Sequence, residues 1–146
     1  MRVALWALLF VAVVRLAIAQ DRQVVRPPGR AAGLPFSPAI RIGNMLYLSG
    51  QLGILPGTPQ HADTGIVGQT RQALENVKAL LVYAGSSLDR VVKCTVFLAD
   101  MGDFAKMNEV YATYFPEDPP ARSTVAVSGL ALGARLEIEC MATVGG

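Results

Sequence analysis

Histidine, cysteine and tryptophan are nearly missing from this chain: 146 residues hold one His, two Cys and one Trp. Charge is scarce too, at 16% Asp, Glu, Lys and Arg against 52% hydrophobic residues. That balance excludes intrinsic disorder and is the composition of a compact globular chain. No basic run follows Arg30, and no basic patch is interleaved with aromatics. The formal net charge is +2, and Arg2 and Arg15 account for it, since the other 11 basic residues balance 11 acidic ones. A neutral domain gives nucleic acid no electrostatic foothold. The lone His61 has no nucleophile to serve and reads as an exposed loop residue. The length suits one domain with a sizeable core, and no internal repeat marks a second.

The longest apolar run, residues 3–14, is also short. At 12 residues it falls below the ~18 a membrane span needs. With Arg2 before it and Ala17-Ile18-Ala19 after it, the segment 1–19 reads as an export signal, with Gln20 the mature terminus. The domain would then be periplasmic or secreted, with no stable membrane insertion after cleavage. A retained surface anchor is a second reading. A mis-assigned start codon, with a cytoplasmic protein, is a third. In an oxidising compartment Cys94 and Cys140 could pair. The favoured reading is two buried free thiols, because pairing requires adjacent strands in matched register.

Residues 20–35 are rich in Arg, Pro and Gly, which reads as a linker or an arm laid on the domain surface. Ile40-Arg41-Ile42 alternates, Gly43-Asn44 is a tight turn, and residues 45–51 form the returning strand. Apolar residues from Ile66 to Ala84 recur at helical spacing, and Gly85 is a suitable stop. Residues 91–98 read as a strand. Asp100 or Asp103 can cap a second helix with the stripe Phe104, Met107, Val110, Tyr111, Tyr114 and Phe115, which Pro116 ends. Residues 122–128 and 135–144 give two closing strands. The order β-β-α-β-α-β-β fits an α+β domain over 36–146, with both helices on one face of a single sheet.

Period-two alternation then sorts the strand residues. Leu136, Ile138, Cys140 and Ala142 form one set, joined by Val92, Cys94, Val96 and Leu98, and by Val125 and Val127. These apolar sets are expected under the helices. The opposite face would carry Lys93, Thr95, Phe97, Arg122, Thr124, Glu137 and Glu139. Such a face is either solvated or buried by oligomerisation. An arginine near an interface suits a carboxylate, because guanidinium offers paired donors in one plane.

Several segments resemble the Rid family, also called RidA/YjgF-like and formerly L-PSP endoribonuclease-like. Asn44-Met45-Leu46-Tyr47-Leu48-Ser49-Gly50-Gln51 is similar to its strand ending in Ser-Gly-Gln. The runs 69–77, 91–98 and 108–115 are similar to its first helix, central strand and second helix. Pro120-Ala121-Arg122-Ser123 and Glu137-Ile138-Glu139 are similar to its closing strands. The likeness covers about residues 34–144. It implies a chorismate-mutase-like fold assembled as a homotrimer, sheets facing inward, with three sites in the clefts between subunits. It also implies hydrolytic deamination of reactive enamines and imines, of the 2-aminoacrylate or 2-iminobutanoate type, to 2-keto acids and ammonia. No metal or organic cofactor is implied.

Residue by residue, the resemblance implies that Arg122 grips the substrate carboxylate and Glu137 positions water or exchanges a proton. Gly50 would allow close approach of the ligand. Phe36 stands where the family has a tyrosine, and Thr124 where the best-known deaminases have a cysteine. Both would line the substrate pocket. Leu130-Ala131 replaces the usual Leu-Pro. A non-catalytic trimer that binds small carboxylates is the alternative expectation. The ribonuclease activity in the older family name is not expected from a neutral domain with one loop histidine.

Overall fold

A computed structural model describes residues 21–29, 33–63 and 65–145. The export-signal segment 1–19 lies outside the described residues. The elements in chain order are β1 (Arg22–Val25), β2 (Ala39–Ile42), β3 (Met45–Leu48), β4 (Gln51–Leu52), α1 (Ile66–Tyr83), β5 (Val91–Leu98), α2 (Phe104–Tyr114), β6 (Ala121–Ala126) and β7 (Leu136–Thr143). They build one mixed sheet in the order β1-β2-β3-β7-β5-β6, with β4 also paired to β7. Only β5 and β6 run parallel, joined through α2; the other pairs are antiparallel.

The expected α+β architecture is present. Helix α1 forms where the apolar spacing required it, burying Ala73, Leu74, Val77, Leu80 and Leu81. Gly85 ends it at φ +79°, and the Ser86 N–H returns to the Leu81 carbonyl, satisfying an orphan acceptor of the last turn. Helix α2 adds Met107 and Tyr111 to the same core. From the sheet come Leu46, Leu48, Val96, Leu98, Leu136 and Ile138. Asp100 caps the single 3-10 turn before α2 by accepting from the Gly102 N–H. Asp103 caps nothing with its side chain and instead takes Arg135 in an ion pair of 2.7 Å.

The structure refines or corrects the expectations at several points. Part of the arm at 20–35 is β1, an edge strand along β2. The strand expected over 45–51 is broken into β3 and β4. The chain takes four residues from Tyr47 to Gln51 while β7 takes three from Met141 to Ile138, so one extra residue bulges at Ser49-Gly50. A second irregularity, between Val91 and Lys93, puts Val91 in the core and leaves Val92 exposed.

The two cysteines are not free thiols. Cys94 and Cys140 are disulfide-bonded, with Cα atoms 4.1 Å apart. The reason is register: β5 and β7 are neighbours, and Cys94 lies directly opposite Cys140.

The faces of β6 are also the reverse of the expectation. In register, Arg122 pairs with Cys94 and Thr124 with Val96, whereas Val125 pairs with Phe97. Paired residues share a face, so Arg122 and Thr124 stand on the helix side and Val125 on the open side, 44% exposed. An edge strand at the rim of the helix layer does not obey the apolar-inward rule, because that rim is only partly covered. Lys93, Thr95, Phe97, Glu137 and Glu139 do share the open face, as expected.

Candidate active site

The residues singled out in the sequence fall into two groups. The first gathers on α2 and β6. Phe104 and Tyr111 lie two helical turns apart on one side of α2, and the Arg122 guanidinium rests against both rings. Its Cζ is 4.6 Å from the Tyr111 ring centre and 5.8 Å from that of Phe104. Both distances lie within cation–π range. Among the described residues Arg122 has no carboxylate partner; the one ion pair there is Asp103–Arg135. Its planar donor fork is therefore unspent. Beside it, the Thr124 hydroxyl and the Tyr111 hydroxyl are shielded from solvent and form no hydrogen bond among the described residues. Burial pushes the Tyr111 phenol up to about 12, against a smaller opposing pull from Arg122. It stays neutral at any physiological pH.

The second group gathers where β3, β4 and β7 meet. The bulge turns the bare Cα of Gly50 onto Glu137, whose carboxylate occupies the space a Cβ would need. Ser49 fixes this point: its hydroxyl donates to the Ser37 carbonyl at 2.6 Å, and its N–H to the Pro38 carbonyl at 2.9 Å. Phe36 adjoins that clamp with its ring half exposed. Glu137 itself is partly buried, and its carboxyl titrates above the usual range. Desolvation is the main cause, and repulsion from Glu139 on the same face adds to it. A carboxyl raised in this way can hold a proton closer to neutrality, which suits proton exchange.

Gly50 is where a small change should read out sharply. Replacing it with alanine must push the Glu137 carboxylate aside. That carboxylate is the far end of a flexible side chain, so the fold tolerates the shift. Gly50→Ala is expected to change the melting temperature by no more than a few degrees while lowering kcat/KM of any Glu137-dependent reaction about tenfold or more. Parallel thermal melts and kinetics check it; unchanged kinetics would separate Gly50 from the site.

A single chain does not bring the two groups together. Arg122 on β6 and Glu137 on β7 are separated by β5, about 10 Å across the sheet, and by a three-residue offset that adds about 10 Å along the strands, and their side chains leave opposite faces. His61 belongs to neither group. It is half-buried rather than exposed, and its Nε2–H donates to the Leu132 carbonyl at 2.9 Å, joining two loops. No cluster of three or more His, Cys, Asp or Glu suited to a metal occurs among the described residues.

In the sequence Tyr111 and Phe104 stand out only as members of an apolar stripe. Their seven-residue spacing puts both on one side of α2, but nothing local shows that an arginine from a later strand will lie against them.

Residues 28–144 match the family model described as Endoribonuclease L-PSP. A RutC family protein of Pyrococcus horikoshii is 54% identical over 108 residues, covering 74% of this chain and 86% of its own. The 2-iminobutanoate/2-iminopropanoate deaminase of Mus musculus is 43% identical over 111 residues, covering 76% and 82%. The crystal structure of RidA from an Antarctic Psychrobacter superposes with a TM-score of 0.74 at 40% identity, covering 86% of this chain and all of that one. The fold, the matched span and these identities agree: this chain belongs to the RidA/YjgF-like (Rid) family.

Proposed function

We propose that this protein hydrolyses small 2-imino acids and their enamine tautomers to 2-keto acids and ammonia. The observation that carries the reading is Arg122, a half-buried cation on two aromatic faces with its donor fork unspent. Such a group calls for a planar anion, and a carboxylate fits it with two parallel hydrogen bonds. Thr124, on the same face, offers a further donor or acceptor to the same ligand. Relatives named as deaminases of this class support the chemistry.

The reaction asks little of the protein. The imine, protonated on nitrogen, is already electrophilic. Water adds to its carbon and the C=N π pair moves to nitrogen. The proton lost by water passes to a carboxylate, for which Glu137 is the candidate. The carbinolamine takes that proton back on nitrogen, its C–N bond breaks as the oxygen lone pair re-forms the carbonyl, and ammonia leaves while the hydroxyl proton passes to the freed carboxylate. An enamine first takes a proton on its terminal carbon. Holding the carboxylate fixed and one carboxyl group at the reacting carbon supplies orientation and proton transfer together.

Because one chain separates Arg122 from Glu137, the complete site is assembled between copies. The Arg122–Thr124 face of one subunit meets the Gly50–Glu137 rim of the next. The exposed Tyr47, Val125 and Met141 on the open face support burial of that face by association, and a homotrimer with three such clefts is the assembly proposed. The Cys94–Cys140 disulfide supports placing the mature domain in an oxidising compartment, with 1–19 as its export signal. Sequencing the amino terminus of the protein made by its host tests that placement.

The test of function is the lifetime of 2-iminobutanoate generated in situ. The protein is expected to shorten it well below the spontaneous value at micromolar concentration. An unchanged lifetime overturns the deaminase reading. If thermal shift then shows stabilisation by 2-keto acids, the protein is a carboxylate-binding module.

A further inference from the structure

We infer that Tyr111 is the positioning residue of Arg122, orienting the guanidinium through its ring face where other arginines are oriented by hydrogen-bonded acceptors. The kinetic side of this inference rests on the deaminase reading above; its structural side does not.

A guanidinium is usually aimed by a carboxylate or carbonyl that accepts from some of its five N–H groups, and every donor so used is lost to a ligand. At Arg122 the partners are aromatic. The Arg122 Cζ sits over the closer ring, Tyr111, at 4.6 Å from its centre, and Phe104 lies farther off at 5.8 Å. Contact with a ring face restrains the plane of the guanidinium without consuming its edge donors. It also leaves the charge uncompensated, so a ligand carboxylate meets no competing counterion.

The ring that does this must itself be fixed. Tyr111 is 4% exposed, sits in the last turn of α2, and packs against Phe115 with ring centres 4.8 Å apart. Phe104 is 36% exposed at the first residue of the same helix and is the less constrained of the two. The Tyr111 hydroxyl forms no hydrogen bond among the described residues, so the ring is what the arrangement uses. This makes a specific prediction about chemistry: removing the hydroxyl leaves Arg122 in place, and removing the ring releases it.

The experiment compares Tyr111→Phe and Tyr111→Leu with the wild type by two readouts. In NMR the Arg122 Nε–Hε signal, assigned by its loss in Arg122→Lys, is expected upfield of free arginine in the wild type. The ring current should persist in Tyr111→Phe and vanish in Tyr111→Leu. A wild-type signal at the free-arginine position overturns the inference, whether or not the leucine variant folds. In kinetics, Tyr111→Leu is expected to raise KM for 2-iminobutanoate about tenfold with a smaller change in kcat, since a carboxylate grip acts on bound substrate and transition state alike. Tyr111→Phe, which keeps the ring, should show a clearly smaller rise in KM than Tyr111→Leu. Equal losses in both variants would assign the role to the hydroxyl and overturn the inference. If the wild type has no turnover but the ring-shifted signal follows the ring, the deaminase reading fails and the positioning role stands.

Discussion

Arg122→Ala is expected to abolish most of the acceleration of 2-iminobutanoate hydrolysis, lowering kcat/KM by about 100-fold or more. Loss of a charge-assisted, two-point grip on a carboxylate is worth ~3 kcal/mol, which is that factor. Arg122→Lys should recover little, because an ammonium cannot present two coplanar donors or lie flat on Tyr111. Stability should hardly fall: the guanidinium is half-buried and tied to no carboxylate among the described residues, so its removal leaves no buried charge unpaired. Thermal melts of the variant therefore separate a lost function from a lost fold.

The same variant tests where the site is. Arg122 and Glu137 leave opposite faces of one chain, so the site proposed above draws them from different copies of the proposed trimer. Arg122→Ala and Glu137→Gln are each expected to be nearly inactive. Unfolded together and refolded as a mixture, they should regain activity, because about a quarter of the clefts in randomly mixed trimers join an intact Arg122 to an intact Glu137. A mixture no better than its parents would mean that both residues serve a site within one chain, contrary to the sheet register.

How far the sequence could lead here depends on the range of the interaction concerned. Helix α1 was legible because its signal is local: apolar residues at helical spacing and a glycine stop suffice. The turn at Gly43 was legible for the same reason; it carries φ +58°, which glycine adopts at no steric cost. Strand β1 was hidden because Arg22-Gln23-Val24-Val25 has no alternation of its own and borrows its order from β2. Arg122 and Glu137 could be picked out by resemblance, and Gly50 too, but their grouping could not. Alternation sorts a strand into two sets without saying which set faces the helices. For β6 the apolar set looked outward, since that strand closes the sheet at a half-covered rim. The cradle of Phe104 and Tyr111 around Arg122 was invisible because it joins residues on different elements.

Register was also what hid the disulfide, and removing that bond carries the second large effect. Reducing Cys94–Cys140, or replacing both residues by alanine, is expected to cost about 2–4 kcal/mol. The bond closes a loop across a sequence separation of 46 residues, for which chain entropy alone predicts about 4 kcal/mol. For a domain of this size the melting temperature should fall by roughly 10 °C. The alanine variant also loses buried sulfur at two core positions, Cys94 at 0% and Cys140 at 3% exposure, so it should melt below the reduced wild type. The difference between those two is the packing cost, and the drop from oxidised to reduced wild type is the crosslink. Mass spectrometry under non-reducing conditions must show a mass two hydrogen atoms lighter than that of the dithiol. Two free thiols there, with a melting temperature indifferent to reductant, would refute the pairing. Activity measured well below the transition should survive reduction, because the strands holding Cys94 and Cys140 keep their ladder without the bond and Arg122 is held by rings on α2. A protein stabilised in this way gains from the bond only where thiols stay oxidised, so the same melt bears on whether the domain works outside the cytoplasm.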